Sequence, residues 1–216
     1  MQKVLIKGAG DLASGIAWRL RRAGFNVLMT EIAQPLTVRL TVAYSNAVYE
    51  GQTEIEGIKG ILVHDYSEAQ EVMKKGDIAV IVDEDANIKD EFKPNVIIDA
   101  IMAKKNINTD IDDAPIVIAV GPGFCAGKDC DYVIETKRGH FLGRVIENGE
   151  AIKNTGVPGN IGGYTTERII RSNGAGKFKS AVKIGDSVKK GDIVAYTEDN
   201  PIYAQIDGIV RGMLHD

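Results

Sequence analysis

Residues 3–15 read KVLIKGAGDLASG. An apolar, β-branched run over 3–8 meets Gly8 and Gly10, and Ala13, Ile16, Ala17 and Leu20 then recur at helical spacing until Gly24. The change of period across a glycine turn predicts a strand, a tight turn and a helix. FNVLMTE (25–31) supplies a second buried strand, so the chain opens as the β-turn-α-β start of a Rossmann-like, doubly wound parallel α/β sheet. The near-continuous apolar runs IAVIVD (78–83), VIIDAIM (96–102) and PIVIAV (115–120) suit further parallel strands covered on both faces. IKGILV (58–63) reads as another strand, SEAQEVMKKG (67–76) as a helix stopped by Gly76, and 35–49 as a loose helix beginning at Pro35.

Gly8, Gly10 and Ala13 match G-x-G-x-x-A. The first glycine permits the tight turn, the second lets backbone approach a pyrophosphate, and the alanine lets helix and strand pack closely. A helix N-terminus offers free N–H groups to an anion. Glu31 ends the second strand, at the distance from the turn where a carboxylate accepts hydrogen bonds from a ribose, and an acid there favours NAD over NADP. Asp11 complicates the site, because a carboxylate beside a phosphate repels it unless a cation such as Lys7 intervenes. Two readings stay open: a bound dinucleotide, or an anion site that Asp11 occupies internally.

A second glycine-rich stretch, VGPGFCAGKDCDYVIETKRGHFLGRVI (120–146), follows a buried strand and so starts at the carboxyl edge of the sheet, where α/β proteins hold ligands. Gly121, Gly123 and Gly127 can present backbone N–H groups, and Arg138, His140 and Arg144 add charge for an anionic ligand. Residues 131–146 read as a β-hairpin with His140 and Arg144 on one side of a strand; the competing reading is an edge hairpin with solvated charges. Cys125, Cys130 and His140 do not have the spacing of a metal frame, so no metal site is assigned; structural or free thiols, or a cysteine nucleophile paired with His140, are the alternatives. Asp83 and Asp99 end or interrupt buried strands, and Asp99 needs a partner if buried.

The character changes after Gly121. The expected division is a Rossmann-like domain at 1–124, a β-hairpin region at 125–150, a Gly-rich linker at 151–176 and a small β-rich module at 177–216. The last contains V-x-x-G-D-x-V-x-x-G-D-x-V from Val182 to Val194. It resembles one half-repeat, and the start of the next, of the biotinyl/lipoyl type of barrel-sandwich hybrid. The central turn TEDNP (197–201) carries no lysine, which argues against a carrier role. About forty residues bury too little surface to stand alone. The chain stops at Asp216 as another strand is due, which reads as a shortened chain.

The 216 residues are 44% hydrophobic and 26% charged with a net charge of −4, an ordinary balance that leaves no nucleic-acid footprint. Arg19, Arg21 and Arg22 fall on the polar side of the first helix. There is no membrane-length apolar run and no signal-peptide pattern, and two cysteines fit a reducing, cytoplasmic setting.

Taken together, IKGAGDLASGIAWRLRRAGF (6–25), MTEIAQPLTVRLTVAYSNAVYEG (29–51), the stretch 120–146 and IDGIVRGML (206–214) resemble the YqeB-like accessory proteins of the selenium-dependent molybdenum hydroxylase system, a bacterial and archaeal family. The Rossmann part is similar to that of xanthine dehydrogenase accessory proteins, which bind and help sulfurate the molybdenum cofactor. Those proteins carry a separate N-terminal domain, whereas this chain begins at the Rossmann strand. The resemblance implies maturation work on a nucleotide-like molybdopterin cofactor, with molybdenum hydroxylase subunits as partners. An NAD-dependent oxidoreductase and a non-catalytic interaction module are the alternatives. Lys7, Gly8, Gly10, Asp11, Ala13, Glu31, Gly121, Gly123, Arg138 and His140 form the candidate cofactor-binding set, NAD or a molybdopterin dinucleotide is the candidate cofactor, and catalytic residues and self-association stay unassigned.

Overall fold

The computed structural model describes residues 1–216, which divide into two compact units: Met1–Pro35 with Val42–Asn154, and Leu36–Thr41 with Thr155–Asp216. In the first unit the strands are β1 (Lys3–Lys7), β2 (Asn26–Glu31), β3 (Gln52–Ile55), β4 (Ile58–Val63), β5 (Ile78–Val82), β6 (Val96–Asp99), β7 (Val117–Val120), β8 (Cys125–Ala126), β9 (Tyr132–Ile134), β10 (Val145–Ile146) and β11 (Gly149–Glu150). Its helices are α1 (Asp11–Arg22), α2 (Ala47–Glu50), α3 (Tyr66–Lys74) and α4 (Lys89–Phe92). Nine strands make one sheet in the order β10-β9-β7-β6-β1-β2-β5-β4-β3, while β8 and β11 pair separately. The pairs from β9 across to β4 are parallel, and only the outermost pairs, β9 with β10 and β3 with β4, are antiparallel.

Alternation along the central strands sends side chains to two covered faces. Val4, Ile6, Val27, Met29 and Val80 pack with Ala13 and Ala17 of α1 and with Tyr44, whereas Leu5, Leu28, Ala79 and Ile81 pack with Ala69, Val72 and Met73 of α3 and with Phe92 of α4. Small residues on α1 let it lie close to the sheet, as the spacing around Ala13 predicts. α3 starts where Asp65 accepts the Glu68 N–H at 2.8 Å, and Glu68 returns the contact by accepting the His64 N–H at 2.8 Å.

β1 lies between β2 and β6. The chain leaves β1 toward β2, β5 and β4, then returns to build β6, β7 and β9 on the other side. The carboxyl ends of β1 and β6 are therefore a topological switch point, where connections part and leave a crevice.

Four expectations change. The segment 35–49 is not a loose helix. It runs irregularly to two short 3-10 turns, Leu40–Val42 and Tyr44–Asn46, before the single turn of α2, and Leu36–Thr41 belongs to the other unit. β-Branched Thr37, Val38, Thr41 and Val42 disfavour helix there. The strand expected over 96–102 ends at Asp99, because the chain turns through Met102 at φ +64°. Residues 125–150 are not a separate region: β9 joins the main sheet in parallel beside β7, and the unit runs to Asn154. The hairpin at 131–146 has only short arms, joined by a loop over 135–144, so His140 and Arg144 are not on a strand face.

The second unit contains β12 (Phe178–Ser180), β13 (Ser187–Val188), β14 (Ile193–Thr197), β15 (Asn200–Tyr203) and β16 (Gly208–Ile209). β12, β14 and β15 form one antiparallel sheet, and β13 pairs antiparallel with β16. Val194, Ala195, Ile202 and Ala204 make its core, with Phe178, Val182 and Val188 against them. In the early segment, Val38 accepts the Met213 N–H at 2.6 Å and Arg39 bridges Met213.

Tyr44, fully buried, packs against Gly60 of β4, so that a Cβ at 60 would sit 2.3 Å from the ring's Cδ1. Gly60→Ala is therefore expected to destabilise the protein by about 1–3 kcal/mol through overpacking. Thermal melting of this variant in the wild-type and Tyr44→Leu backgrounds checks it, since the smaller side chain removes the collision and the penalty should shrink.

Candidate functional site

At the carboxyl end of β1 the chain turns sharply at Gly8, whose φ of +90° and approach to the backbone after β6 exclude a side chain: a Cβ would lie 3.0 Å from Ile101 Cα and 3.1 Å from Ala100 O. Gly10 is extended and caps α1, and Asp11 is the acid of the first turn, half-buried. Ala13 is fully buried against the sheet.

Glu31 ends β2 beside this turn. Its Oε2 accepts the Ala9 N–H at 2.9 Å and its Oε1 accepts the Ile32 N–H at 2.9 Å. Two backbone donors thus fix the plane of the carboxylate, while each oxygen keeps a lone pair for a further donor. Burial pushes the Glu31 pKa up, and the hydrogen bonds from Ile32 and Ala9 oppose that shift without cancelling it.

The other side of the turn is held by residues that sequence reasoning passed over. Ser14 Oγ donates to Ala9 O at 3.0 Å and accepts the Tyr44 N–H at 2.7 Å, and the Ser45 N–H donates to Ala9 O at 2.8 Å. Ser45 Oγ is fully buried without a hydrogen-bond partner.

Lys7 does not face Asp11's turn as a phosphate counter-ion. It is 2% exposed, and its Nζ donates to Asn108 O (2.9 Å), Asn108 Oδ1 (2.5 Å) and Thr109 Oγ1 (2.6 Å). Those three bonds use its three protons. Asp99, also 2% exposed, is 3.9 Å away and accepts from Thr109 Oγ1 at 2.6 Å. Asp99 thus has the partner its place in an apolar strand demands. Desolvation lowers the Lys7 pKa, against the pull of Asp99. Asn108 and Thr109 were invisible as partners because they lie about a hundred residues on, in a loop without a motif.

The second glycine stretch meets that same loop. Gly121 has φ +85° and Gly123 has φ +113°, and a Cβ at 123 would lie 2.5 Å from Lys105 N. Gly123 O accepts the Asn106 N–H at 3.1 Å. Close backbone approach accounts for these glycines. Arg138, His140 and Arg144 are exposed in the 135–144 loop, where Arg144 lies over the Phe141 ring at 5.6 Å. Glu135 anchors the base of that loop by accepting the N–H groups of Lys137 (2.7 Å) and Ile152 (2.8 Å). Cys125 and Cys130 are free thiols, and burial pushes the Cys130 thiol up to about 11, so it stays protonated and unreactive near neutrality.

No family model matches the chain, and no solved structure matches it. It is 51% identical over 215 residues to a protein of Escherichia coli (strain K12) named "Uncharacterized protein YqeB"; the match takes in 100% of this chain and 40% of that protein. This chain spans about two-fifths of that relative's length. No helix is long and apolar enough to cross a membrane.

Two outcomes follow from this geometry. Ser14→Ala should cost about 1–3 kcal/mol, because it strands the buried Tyr44 N–H, whereas Ser45→Ala should be neutral or slightly stabilising; urea unfolding of both variants separates them. Because folding raises the Glu31 pKa, the folded state holds that proton more tightly. Stability contributed at this site is present at low pH and lost as pH rises from the ordinary 4.5 through the raised value. Urea midpoints of wild type and Glu31→Gln between about pH 4 and pH 7 should show that decline in the wild type alone.

Proposed function

We propose that the portion this chain shares with YqeB binds a nucleotide-like, diphosphate-bearing cofactor of molybdopterin type in a Rossmann-like unit, and that it acts as an accessory factor in molybdenum hydroxylase maturation. The single observation that carries the binding reading is Glu31: a carboxylate fixed by two backbone N–H groups at the carboxyl end of β2, beside a glycine turn that opens a helix. Such a group accepts two vicinal ribose hydroxyls, and the helix N-terminus is ready for the adjoining phosphates. Asp11 in the first helical turn sets a limit on how much negative charge that turn accepts, which favours a ligand whose binding rests on its ribose. The maturation role comes from the family resemblance of the quoted stretches, and the small β-rich unit, with no lysine in its 197–201 turn, serves as the surface for an enzyme subunit.

An NAD-dependent oxidoreductase shares the same ribose and diphosphate chemistry and is favoured by Glu31 as well. It requires a proton-transfer group beside the crevice, and the exposed His140 in the 135–144 loop is not held by any element of the sheet.

Isothermal titration with CDP, NAD and NADP tests the binding reading. A ribose held at Glu31 predicts that Glu31→Ala weakens the bound nucleotide about tenfold or more, the loss of a charge-assisted hydrogen bond. It also predicts that NADP binds less well than NAD, because its 2′-phosphate meets a like charge. Undiminished affinity in the Ala variant removes the ribose site.

A further inference from the structure

Between Asp99 and the 3-10 turn at Ile111–Asp113, residues 102–110 cross the carboxyl edge of the sheet at the switch point. The loop is tied to four neighbours: Lys7 at the end of β1, Asp99 at the end of β6, Gly123 after β7, and Asp85 after β5. Its own turn is closed by Asn106, which accepts the Thr109 N–H at 2.9 Å and donates to Thr109 O at 2.7 Å. Two non-glycine residues at its root, Met102 and Lys104, are both left-handed at φ +64°. That conformation is unfavourable for an L-residue, so the contacts at Asn108 and Thr109 hold the loop against its own backbone preference. The tip is open, with Ile107 55% exposed, while Thr109 is 5% exposed.

The Asn108 carboxamide makes a two-sided contact. Its Oδ1 accepts from Lys7 Nζ at 2.5 Å, and its Nδ2 donates to Asp85 Oδ1 at 3.3 Å. Lysine is an obligate donor and an ionised aspartate an obligate acceptor, so the pair reads a carbonyl beside an N–H. An anion is poorly suited, because Asp85, Asp99 and Asp113 all act on Lys7 and outnumber the other nearby cation, Lys89. All three Nζ protons go to neutral acceptors, so a neutral amide can take the place of the Asn108 carboxamide without changing the charge balance around Lys7.

We propose that residues 102–110 are a strap seated in the switch-point crevice as an internal stand-in for ligand, and that Lys7 and Asp85 form a subsite for an amide edge, a carbonyl acceptor beside an N–H donor, as in a carboxamide or the lactam of a fused heterocycle. The placement of this subsite as the far half of a dinucleotide site rests on the ribose reading of Glu31; the exchange of strap for ligand does not. The strap taxes affinity, since a ligand meets the subsite only in the fraction of molecules where the strap is out.

The test uses the full chain without nucleotide. Lys7 acylation by acetic anhydride is followed site by site with mass spectrometry in wild type, Asn108→Ala and Thr109→Val, each shown by its melting curve to be folded. Removing strap contacts should raise the Lys7 rate about fivefold or more, in proportion to the open fraction. Nicotinamide, used as the carboxamide probe, should then protect Lys7 in Asn108→Ala, and nicotinate, which lacks the N–H and meets the carboxylates, should not. Equal acylation in wild type and both folded variants overturns the strap. Faster acylation with no protection by nicotinamide, or with equal protection by nicotinate, overturns the amide subsite. Neither result depends on whether Glu31 holds a ribose, which the nucleotide titrations decide separately.

Discussion

The pairing of β1 with β6 places a lysine and an aspartate side by side at the buried end of a parallel sheet, Lys7 opposite Asp99 in register. Both side chains are 2% exposed. A charge in that position is tolerable only with hydrogen bonds to satisfy it, and the sheet itself has none left to give. The structure meets the demand by bringing back a loop from a hundred residues later. Asn108 and Thr109 complete the pair, Gly123 must lack a side chain so that the loop can pass, and the path of the chain after β6 is fixed by these needs. The crevice that topology opens is thus spanned by the residues that neutralise it.

Most of the main sheet could be read directly. β1, β2, β5, β6 and β7 are apolar runs whose residues are buried on both faces, and a run of that kind has few alternatives. β3 does not stand out in the sequence although it is a strand of the same sheet. Its residues Gln52–Ile55 alternate, and the turn Glu56-Gly57, with φ of +46° and +82°, joins it to β4. Half-exposed edge strands bury too little for their pattern to stand out, so the turn dipeptide was the better signal. β9 reads as one arm of a hairpin because β10 follows it, whereas its longer pairing is with β7. Local spacing cannot distinguish a neighbour in sequence from one across a crossover.

The candidate site was legible in part. The turn at Gly8, the packing of Ala13 and the place of Glu31 follow from spacing, since each is set by a backbone geometry that a motif encodes. The partners of Lys7 are not encoded that way. They are set by where a loop returns, as are Ser14 and Ser45 around Ala9. The glycines at 121 and 123 carried a true signal of close approach, but what approaches them is the 102–105 backbone. Glycine spacing reports crowding without saying by what.

The second unit takes in Leu36–Thr41 as well as Thr155–Asp216, so the polypeptide passes between the two units three times. During synthesis residues 36–41 emerge well before Met213, which Arg39 bridges. The first unit can assemble its sheet before the stretch that this early segment bridges has been made. It also means that neither unit corresponds to a contiguous stretch of the gene. A stop after Asn154 would leave 36–41 as an orphaned excursion, and the C-terminal stretch made alone would lack the strip that Val38 and Arg39 provide.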